Sequence, residues 1–374
     1  MRQTFDVAIV GAGIVGAACA LECAQAELKV AIIESSIVGG GATAAAMGHI
    51  VAMDDSEAQF SLTRFSQQLW NTLRTELPRE VEFELTGTIW VAADEDEMSA
   101  VRNKNRYFTS RGVPAEVLDA AALKQAEPNL RPGLVGALLV PEDSVIYPPT
   151  AARWLAERAQ QCGASLVRGK AIRLRGGSVE IADGTAISSS LVVNATGAWA
   201  PELTPGLEIR KRKGHLVITD RYSGFLRHQL VELGYLKSAH SVTSDSCAFN
   251  VQPRATGQIL IGSSRQYGAE HSAIDHKIVA GMLARACEYM PALGKMAAVR
   301  CWTGFRAATP DKLPLIGPSV TDQKIWLATG HEGLGITTSL GTAKLLVDQI
   351  VGRRSAIPIE PYLPARGSRE HVYA

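Results

Sequence analysis

Residues 4–10, Thr-Phe-Asp-Val-Ala-Ile-Val, are almost wholly apolar and rich in β-branched side chains, the pattern of a strand buried on both faces. A helix is expected to follow, through about Gln25, and a second apolar run, Lys29 to Glu34, reads as another buried strand. Residues 35–50 are small and glycine-rich, and Leu62, Phe65, Leu69, Leu73 and Leu77 then recur every three or four positions, a helical packing stripe with no chemistry of its own. From about 81 the pattern alternates and breaks at Gly87, which predicts strands, and 95–110 reads as a charged surface helix. Pro148 and Pro149 start a further helix that Gly163 stops.

A buried strand, Leu191 to Asn194, precedes Ala195-Thr196-Gly197, and strands return between about 209 and 265, with a hairpin through Arg254–Gly257. A helix over about 276–290, a strand at 324–330, a glycine-spaced loop and a helix to about Val351 complete the chain. The predicted class is α/β (α+β overall). Segments 1–80, 149–208 and 300–365 would build one discontinuous Rossmann-like dinucleotide-binding domain, and 81–148 and 209–299 a β-rich substrate-binding domain.

Composition narrows the partners. Across 374 residues the net charge is only +1, which gives no case for nucleic acid. The single basic run, Arg210-Lys211-Arg212-Lys213, is expected to be a solvated strand edge. Six cysteines include no Cys-x-x-Cys pair, so no zinc or iron–sulfur site is expected, and Cys19 and Cys23 read as small apolar residues of a buried helix. The N-terminal run carries an acid and glycines where a signal peptide needs a basic flank and continuous apolarity, and no run of eighteen apolar residues occurs. The expectation is a cytoplasmic protein with no transmembrane segment, with peripheral attachment at the inner face of a membrane left open.

The first chemistry lies in Gly11-Ala-Gly13-Ile-Val-Gly16 between strand and helix, with Glu34 closing the second strand 18 residues after the last glycine. Such glycines permit a tight turn, close approach of backbone to a pyrophosphate, and close helix–strand packing. The acid would accept hydrogen bonds from an adenosine ribose. Residues 328–346, Ala-Thr-Gly-His-Glu-Gly-Leu-Gly onward, repeat the loop-into-helix pattern more than 300 positions later. A nicotinamide enzyme needs one dinucleotide fold and a catalytic domain. Repeated returns to the first domain with glycine-rich turns fit a longer, tightly held cofactor.

Four landmarks stand in order: Gly11 to Glu34, Ala195-Thr-Gly-Ala-Trp199, Gly304-Phe-Arg306 through Thr309-Pro-Asp311 to Gly317, and Gly330-His331 to Ile336. Together they resemble the D-amino-acid oxidase superfamily of flavoenzymes, which includes glycine and sarcosine oxidases, over essentially the whole chain. The closing loop is more similar to the catalytic subunits of heteromeric dye-linked dehydrogenases acting on D-hydroxyproline, on opines, and on glycine in cyanide synthesis. Residues 45–56 resemble the D-hydroxyproline branch in particular.

The resemblance implies FAD, with room for an additional FMN at a subunit interface. Gly11, Gly13, Ile14, Val15, Gly16 and Glu34 would hold the AMP half; Gly41, Ala42, Thr43, Ala46, Met47 and Gly48 would lie beside the isoalloxazine ring. Ala195, Thr196 and Gly197 fall near the middle, Gly330 and Gly333, Leu334, Gly335, Ile336 and Thr337 at the pyrimidine edge, with Ser35, Ala171 and Trp199 also lining the cofactor. Arg306 would fork onto a substrate carboxylate, and His49 or His331 would take a proton from the substrate ammonium. His215 is a strand residue near the site. Asn250 stands about where relatives place a tyrosine, leaving Tyr147 and Tyr235 as substitutes. The implied reaction is oxidation of the C–N bond of a small amino or imino acid, cis-4-hydroxy-D-proline first among them, with electrons passed to partner subunits. An oxygen-using oxidase, an opine oxidase or hydrogen cyanide synthase subunit, and a non-catalytic electron-relay subunit are the competing readings.

Overall fold

The computed structural model describes residues 4–234 and 245–368. Its first sheet runs in the order Leu315–Pro318, Ile325–Thr329, Ala186–Asn194, Thr4–Val10, Val30–Glu34, Ser165–Arg168. All pairings from Ile325–Thr329 onward in that order are parallel, while Leu315–Pro318 joins antiparallel, as does a small hairpin, Ala171–Arg175 with Ser178–Ile181, through its second strand against Ala186–Asn194. Parallel strands must be covered on both faces, which is why Thr4–Val10 and Val30–Glu34 read as unbroken apolar runs.

Over one face lies the Ile14–Gln25 helix, packed between the Pro148–Gln161 and Gly335–Ile350 helices. Its buried residues are mostly Gly, Ala and Cys (Ala17, Ala18, Cys19, Ala20, Cys23, Ala24). Small side chains let the two neighbours approach closely, and burial raises the thiol pKa of Cys23 to about 12, so both cysteines serve as apolar filling. The Glu57–Leu73 helix packs on Gly335–Ile350 and starts at Ser56, whose hydroxyl accepts from the Gln59 amide at 3.1 Å.

The second sheet is ordered Ala298–Ala308, Arg210–Thr219, Ile259–Arg265, Ser246–Pro253, Gln229–Glu232, Thr88–Ala92, Gly136–Val140, Glu116–Asp119. It is antiparallel except where Gln229–Glu232 meets Thr88–Ala92. Three expectations change here, and the surface helix over 95–110 gains an inner face. The Ala298–Ala308 strand, which carries Arg306, pairs along its length with Arg210–Thr219, so residues 300–308 belong to this sheet and not with the first. Of the alternating stretch from 81, only Thr88–Ala92 is a strand of this sheet, because Glu82 (φ 50°) and Gly87 (φ 65°) turn the chain between. The Glu95–Thr109 helix buries Met98, Val101, Lys104 and Phe108, and Lys104 pairs with Asp54 while sitting 4.6 Å over the Trp90 ring. The Arg210–Lys213 run is not an edge: its strand lies between two others, Arg212 is buried, and the Lys213 ammonium donates to the Ala273 carbonyl.

His49–Ile50 pairs with Ser144–Val145, and Asp143 beside that bridge is buried. Its Oδ1 accepts from the Ala52 amide at 3.2 Å and from Gln67 Nε2 at 3.0 Å, joining a loop, a helix and a strand end. Burial pushes this carboxyl up to about 7 against those bonds. Between about pH 4 and pH 7 the folded chain keeps a proton that the unfolded chain has released, so this group's contribution to stability falls as pH rises. Asp143→Asn keeps the accepting oxygen. It should flatten the melting temperature against pH over that window and melt higher than the parent at pH 8; parallel curves would contradict the assignment.

Candidate active site

One elongated cavity of about 640 Å³ runs from the end of the Val30–Glu34 strand to the second sheet. At its first end Gly11 (φ 99°) turns the chain so tightly that a Cβ there would lie 2.7 Å from the Ala195 carbonyl oxygen. Gly13, Ile14 and Val15 bring the N-terminus of the Ile14–Gln25 helix to the cavity wall, where the helix dipole favours an anion. Glu34 is fixed by two amides, Ala12 N–H to Oε2 and Ser36 N–H to Oε1, each at 2.8 Å, and still faces the cavity. The Ile14 amide donates to Thr43 Oγ1 at 3.0 Å, which ties the 41–48 turn to this helix.

Most of the residues expected to hold a cofactor meet on this one surface. Gly41, Ala42, Thr43, Ala46, Met47 and Gly48 form one wall, and Ala171, Ala195, Thr196, Gly197 and Trp199 another, with Ser35 beside Glu34. At the far end stand Arg306, Gly333, Gly335 and Ile336. Gly16, Gly330 and Thr337 are not on it. A Cβ on Gly16 would lie 1.9 Å from the Gly11 carbonyl oxygen, and one on Gly330 would lie 2.7 Å from Thr309 Cγ2, so both are packing glycines. Thr337 Oγ1 donates to the His49 carbonyl at 2.8 Å and accepts from the Val51 amide at 3.3 Å, bracing helix to strand. Leu334 lines a smaller adjoining cavity instead.

Arg306 stands where the two cavities meet, its Nη1 donating to the Ser264 carbonyl at 2.9 Å. The neighbouring Gly214 leaves room for its guanidinium: a Cβ there would come within 2.6 Å of Nη1. The glycine loop closes over it, because the Glu332 amide donates to the Ala307 carbonyl at 2.9 Å and Gly333 lies against the arginine stem. The Gly335–Ile350 helix therefore begins beside Arg306.

The histidines separate by their partners. His331 is buried, its Nε2 lies 2.9 Å from Thr342 Oγ1, and burial lowers its pKa to about 3, so it is a neutral brace between loop and helix. His49 lines both cavities, burial lowers its pKa to about 4, and its Nε2 has no hydrogen-bond partner among the described residues. His215 is held at both nitrogens: Nε2 accepts from the Asp275 amide at 3.1 Å, which leaves the proton on Nδ1 to donate to Ser264 Oγ at 3.0 Å. Asn250 also lines both cavities, its Oδ1 unpartnered among the described residues. Tyr147 is not on either wall and stacks under Arg254 at 4.3 Å, and Tyr235 lies outside the described residues.

Sequence reading missed Ser36, Lys170, Glu202, Gly214, Ser263 and Glu332 on the main wall. Only Gly214, after a run of four basic residues, offered a local signal of close approach.

The arrangement matches known proteins across its length. The chain is 27% identical to the glycine oxidase of Geobacillus kaustophilus (strain HTA426), covering 97% of each. It is 26% identical to hydrogen cyanide synthase subunit HcnC of Pseudomonas aeruginosa, covering 98% of this chain and 97% of that one. The crystal structure of the Geobacillus kaustophilus glycine oxidase superposes with a TM-score of 0.88 at 26% identity, covering 98% of this chain and 99% of that one. That of L-proline dehydrogenase from P. horikoshii shares the fold, with a TM-score of 0.86 at 23% identity over 98% and 99%. Residues 6–349 match the family described as DAO, FAD dependent oxidoreductase. With that match over most of its length, on a cavity built from the strand–glycine–helix start, the chain belongs to the DAO family of FAD-dependent oxidoreductases.

Proposed function

We propose that the chain oxidises the C–N bond of a small amino or imino acid whose carboxylate is held by Arg306. The observation that carries this reading is the place of Arg306, at the junction of the two cavities beneath the 330–335 loop. A guanidinium forks onto a carboxylate through two parallel N–H bonds, which fixes the neighbouring carbon as well as binding it. The cavity suits FAD, in that one continuous space joins the Glu34 end, the backbone at Gly13 and Val15 and the start of the Gly335–Ile350 helix. When bound, FAD supplies the hydride acceptor. Glu34 would accept from the ribose, the first helix would face the pyrophosphate, and the amides at Gly335 and Ile336 would face negative charge at the ring's pyrimidine end.

Hydride leaves readily only from a neutral amine. His49, neutral and with Nε2 unpartnered among the described residues, is the histidine that would accept a hydrogen bond from the amine and orient it, whereas His331 is committed to Thr342. Counted from the ammonium form, loss of one proton and one hydride leaves the protonated imine. The first sheet serves the cofactor and the second the substrate, the boundary near 300 moved so that Ala298–Ala308 stays with the second.

The specific form favoured by the likeness of residues 45–56 is a dehydrogenase of cis-4-hydroxy-D-proline that passes electrons to partner subunits. Similarity to a hydrogen cyanide synthase subunit supports a subunit role, and no helix among the described residues is long and apolar enough to cross a membrane. Similarity to glycine oxidase favours the oxygen-using alternative. Anaerobic addition of cis-4-hydroxy-D-proline should bleach the yellow holoprotein within a turnover, with negligible peroxide on admitting air. Peroxide at catalytic rates would establish the oxidase instead. If no amino acid or opine bleaches it, the chain is an electron-relay subunit.

A further inference from the structure

Beyond Arg306 the space continues into a second cavity of about 120 Å³. His49, Asn250, Arg306, Glu332 and Gly333 line both cavities and so frame the passage between them. Its charged groups are already engaged. Arg306 donates to the Ser264 carbonyl, Arg212 pairs with Glu332, and neither Arg265 nor Lys312 is free. Part of the rim, at Asp55 and Gly333, is open to solvent. Charge therefore does not define what the cavity takes.

Its floor is neutral and polar. Gln59, Trp90, Gln229 and Asn250 are all buried, and Gln59 Oε1, Trp90 Nε1, Gln229 Oε1 and Asn250 Oδ1 have no hydrogen-bond partner among the described residues. Buried polar atoms are nearly always bonded, so this floor suits a neutral group that both donates and accepts, as water or a hydroxyl does. Of these four, Asn250 also faces the main cavity, although it is only 8% exposed. It stands close to the carboxylate clamp across the sheet. The Arg306 side chain starts on Ala298–Ala308, passes over Gly214 on the next strand, and ends at the Ser264 carbonyl on the third. Asn250 is on the fourth strand, one spacing or about 4.8 Å further. A carboxylate on the Arg306 guanidinium thus leaves the body of a small substrate beside the Asn250 carboxamide.

We infer that Asn250 is a specificity-determining residue, whose carboxamide receives a hydroxyl that the substrate carries on the same side as its carboxylate. The inference rests on the reading that Arg306 binds that carboxylate. A carboxamide can accept from the hydroxyl through Oδ1 or donate to it through Nδ2. In a five-membered imino acid the carboxylate and the hydrogen on the α-carbon lie on opposite faces of the ring. The hydrogen has to face the hydride acceptor in the main cavity, so the carboxylate face is turned away from that acceptor. A hydroxyl cis to the carboxylate is then carried toward the second cavity and Asn250, and a trans hydroxyl toward the acceptor. cis-4-hydroxy-D-proline meets this geometry, D-proline leaves the carboxamide unpaired, and trans-4-hydroxy-D-proline crowds the reacting face.

The test uses the FAD-loaded full chain, an artificial acceptor and three substrates: cis-4-hydroxy-D-proline, trans-4-hydroxy-D-proline and D-proline. For the parent, kcat/KM should be at least about ten-fold higher for the cis compound than for either of the others. Asn250→Leu, close in shape but unable to hydrogen-bond, should cut the ratio of cis compound to D-proline by about ten-fold or more, and Asn250→Ser should hold part of it. General damage would lower both substrates alike and leave the ratio where it was. A parent ratio near one, equal use of the cis and trans compounds, or an unchanged ratio in Asn250→Leu would each overturn the assignment. If Asn250→Leu fails to hold FAD, Asn250→Ser carries the test, and a ratio equal to the parent's overturns it. Binding without turnover separates this inference from the proposed reaction. Racemic cis-3-hydroxycyclopentanecarboxylate, which has no amine, should perturb the flavin spectrum at a concentration at least about ten-fold below cyclopentanecarboxylate. If that holds while no amine bleaches the protein, the hydroxyl subsite stands and amine oxidation falls; if amines bleach it and the two acids bind alike, the reverse is true.

Discussion

Arg306→Ala should leave FAD bound and abolish substrate bleaching in the working range, raising the concentration for half-reduction by at least about 100-fold. Truncating one partner of a buried charge-assisted pair costs about 2–5 kcal/mol, because the carboxylate loses the fork aimed at it. FAD should stay because the Glu34 and Gly13–Val15 end of the cavity is remote in sequence and wall from this residue. Arg306 also donates to the Ser264 carbonyl, so a small loss of thermal stability is expected alongside. Arg306→Lys separates charge from geometry: it keeps the cation, loses the fork, and should fall between parent and alanine. Anaerobic titration followed at the flavin absorbance reads all three. An alanine variant with near-normal affinity would show that the carboxylate binds elsewhere.

Gly16→Ala should be the more damaging change, although the residue touches no ligand. Its Cβ would lie 1.9 Å from the Gly11 carbonyl oxygen and 3.3 Å from the Ala195 Cβ, and backbone cannot retreat there without moving strand and helix apart. Overpacking of a core costs about 1–3 kcal/mol where side chains can give. Here none can, so a loss at or above that range is expected, with little FAD surviving purification. Gly13→Ala makes the contrast. Its Cβ meets nothing nearer than Thr43 Oγ1 at 3.3 Å, so the apoprotein should melt within a few degrees of the parent while FAD binds at least about 100-fold more weakly. Calorimetry of the apoproteins and flavin content after purification distinguish the two glycines. Equal stability of both variants would mean that the third glycine is not a packing residue.

How much of this was legible beforehand depends on whether the signal was local. The strand, glycine turn, helix and terminal acid sit within 31 residues, Thr4 to Glu34, and the close approaches of Gly11 and Gly16 lie inside that unit or against Ala195 and Thr196. Roles that depend on a distant partner were not. Thr337 reads as a loop amide near a cofactor, yet its hydroxyl is used 288 residues away on the His49 carbonyl. His331 reads as a candidate base until Thr342, about two turns into the helix, is seen to hold it. The basic run at 210–213 was read as a block of like charge, whereas a strand sends alternate residues to opposite faces: Arg212 toward the cavity and Lys213 to the Ala273 carbonyl. The second cavity had no sequence signature, because its wall is assembled one or two residues at a time from strands that are neighbours only after folding.

The amide of Glu332 bound to the Ala307 carbonyl has a mechanical result. It rivets the loop that starts the last helix of the first sheet to the strand that carries Arg306, and the Arg212–Glu332 pair adds a second rivet one strand further in. The two sheets therefore cannot part along this seam without breaking a backbone bond and a buried ion pair together. If Arg306 holds the carboxylate as proposed, these two ties keep it at a set distance from the start of the Gly335–Ile350 helix, where a displacement of about 1 Å would cost on the order of 100-fold in rate.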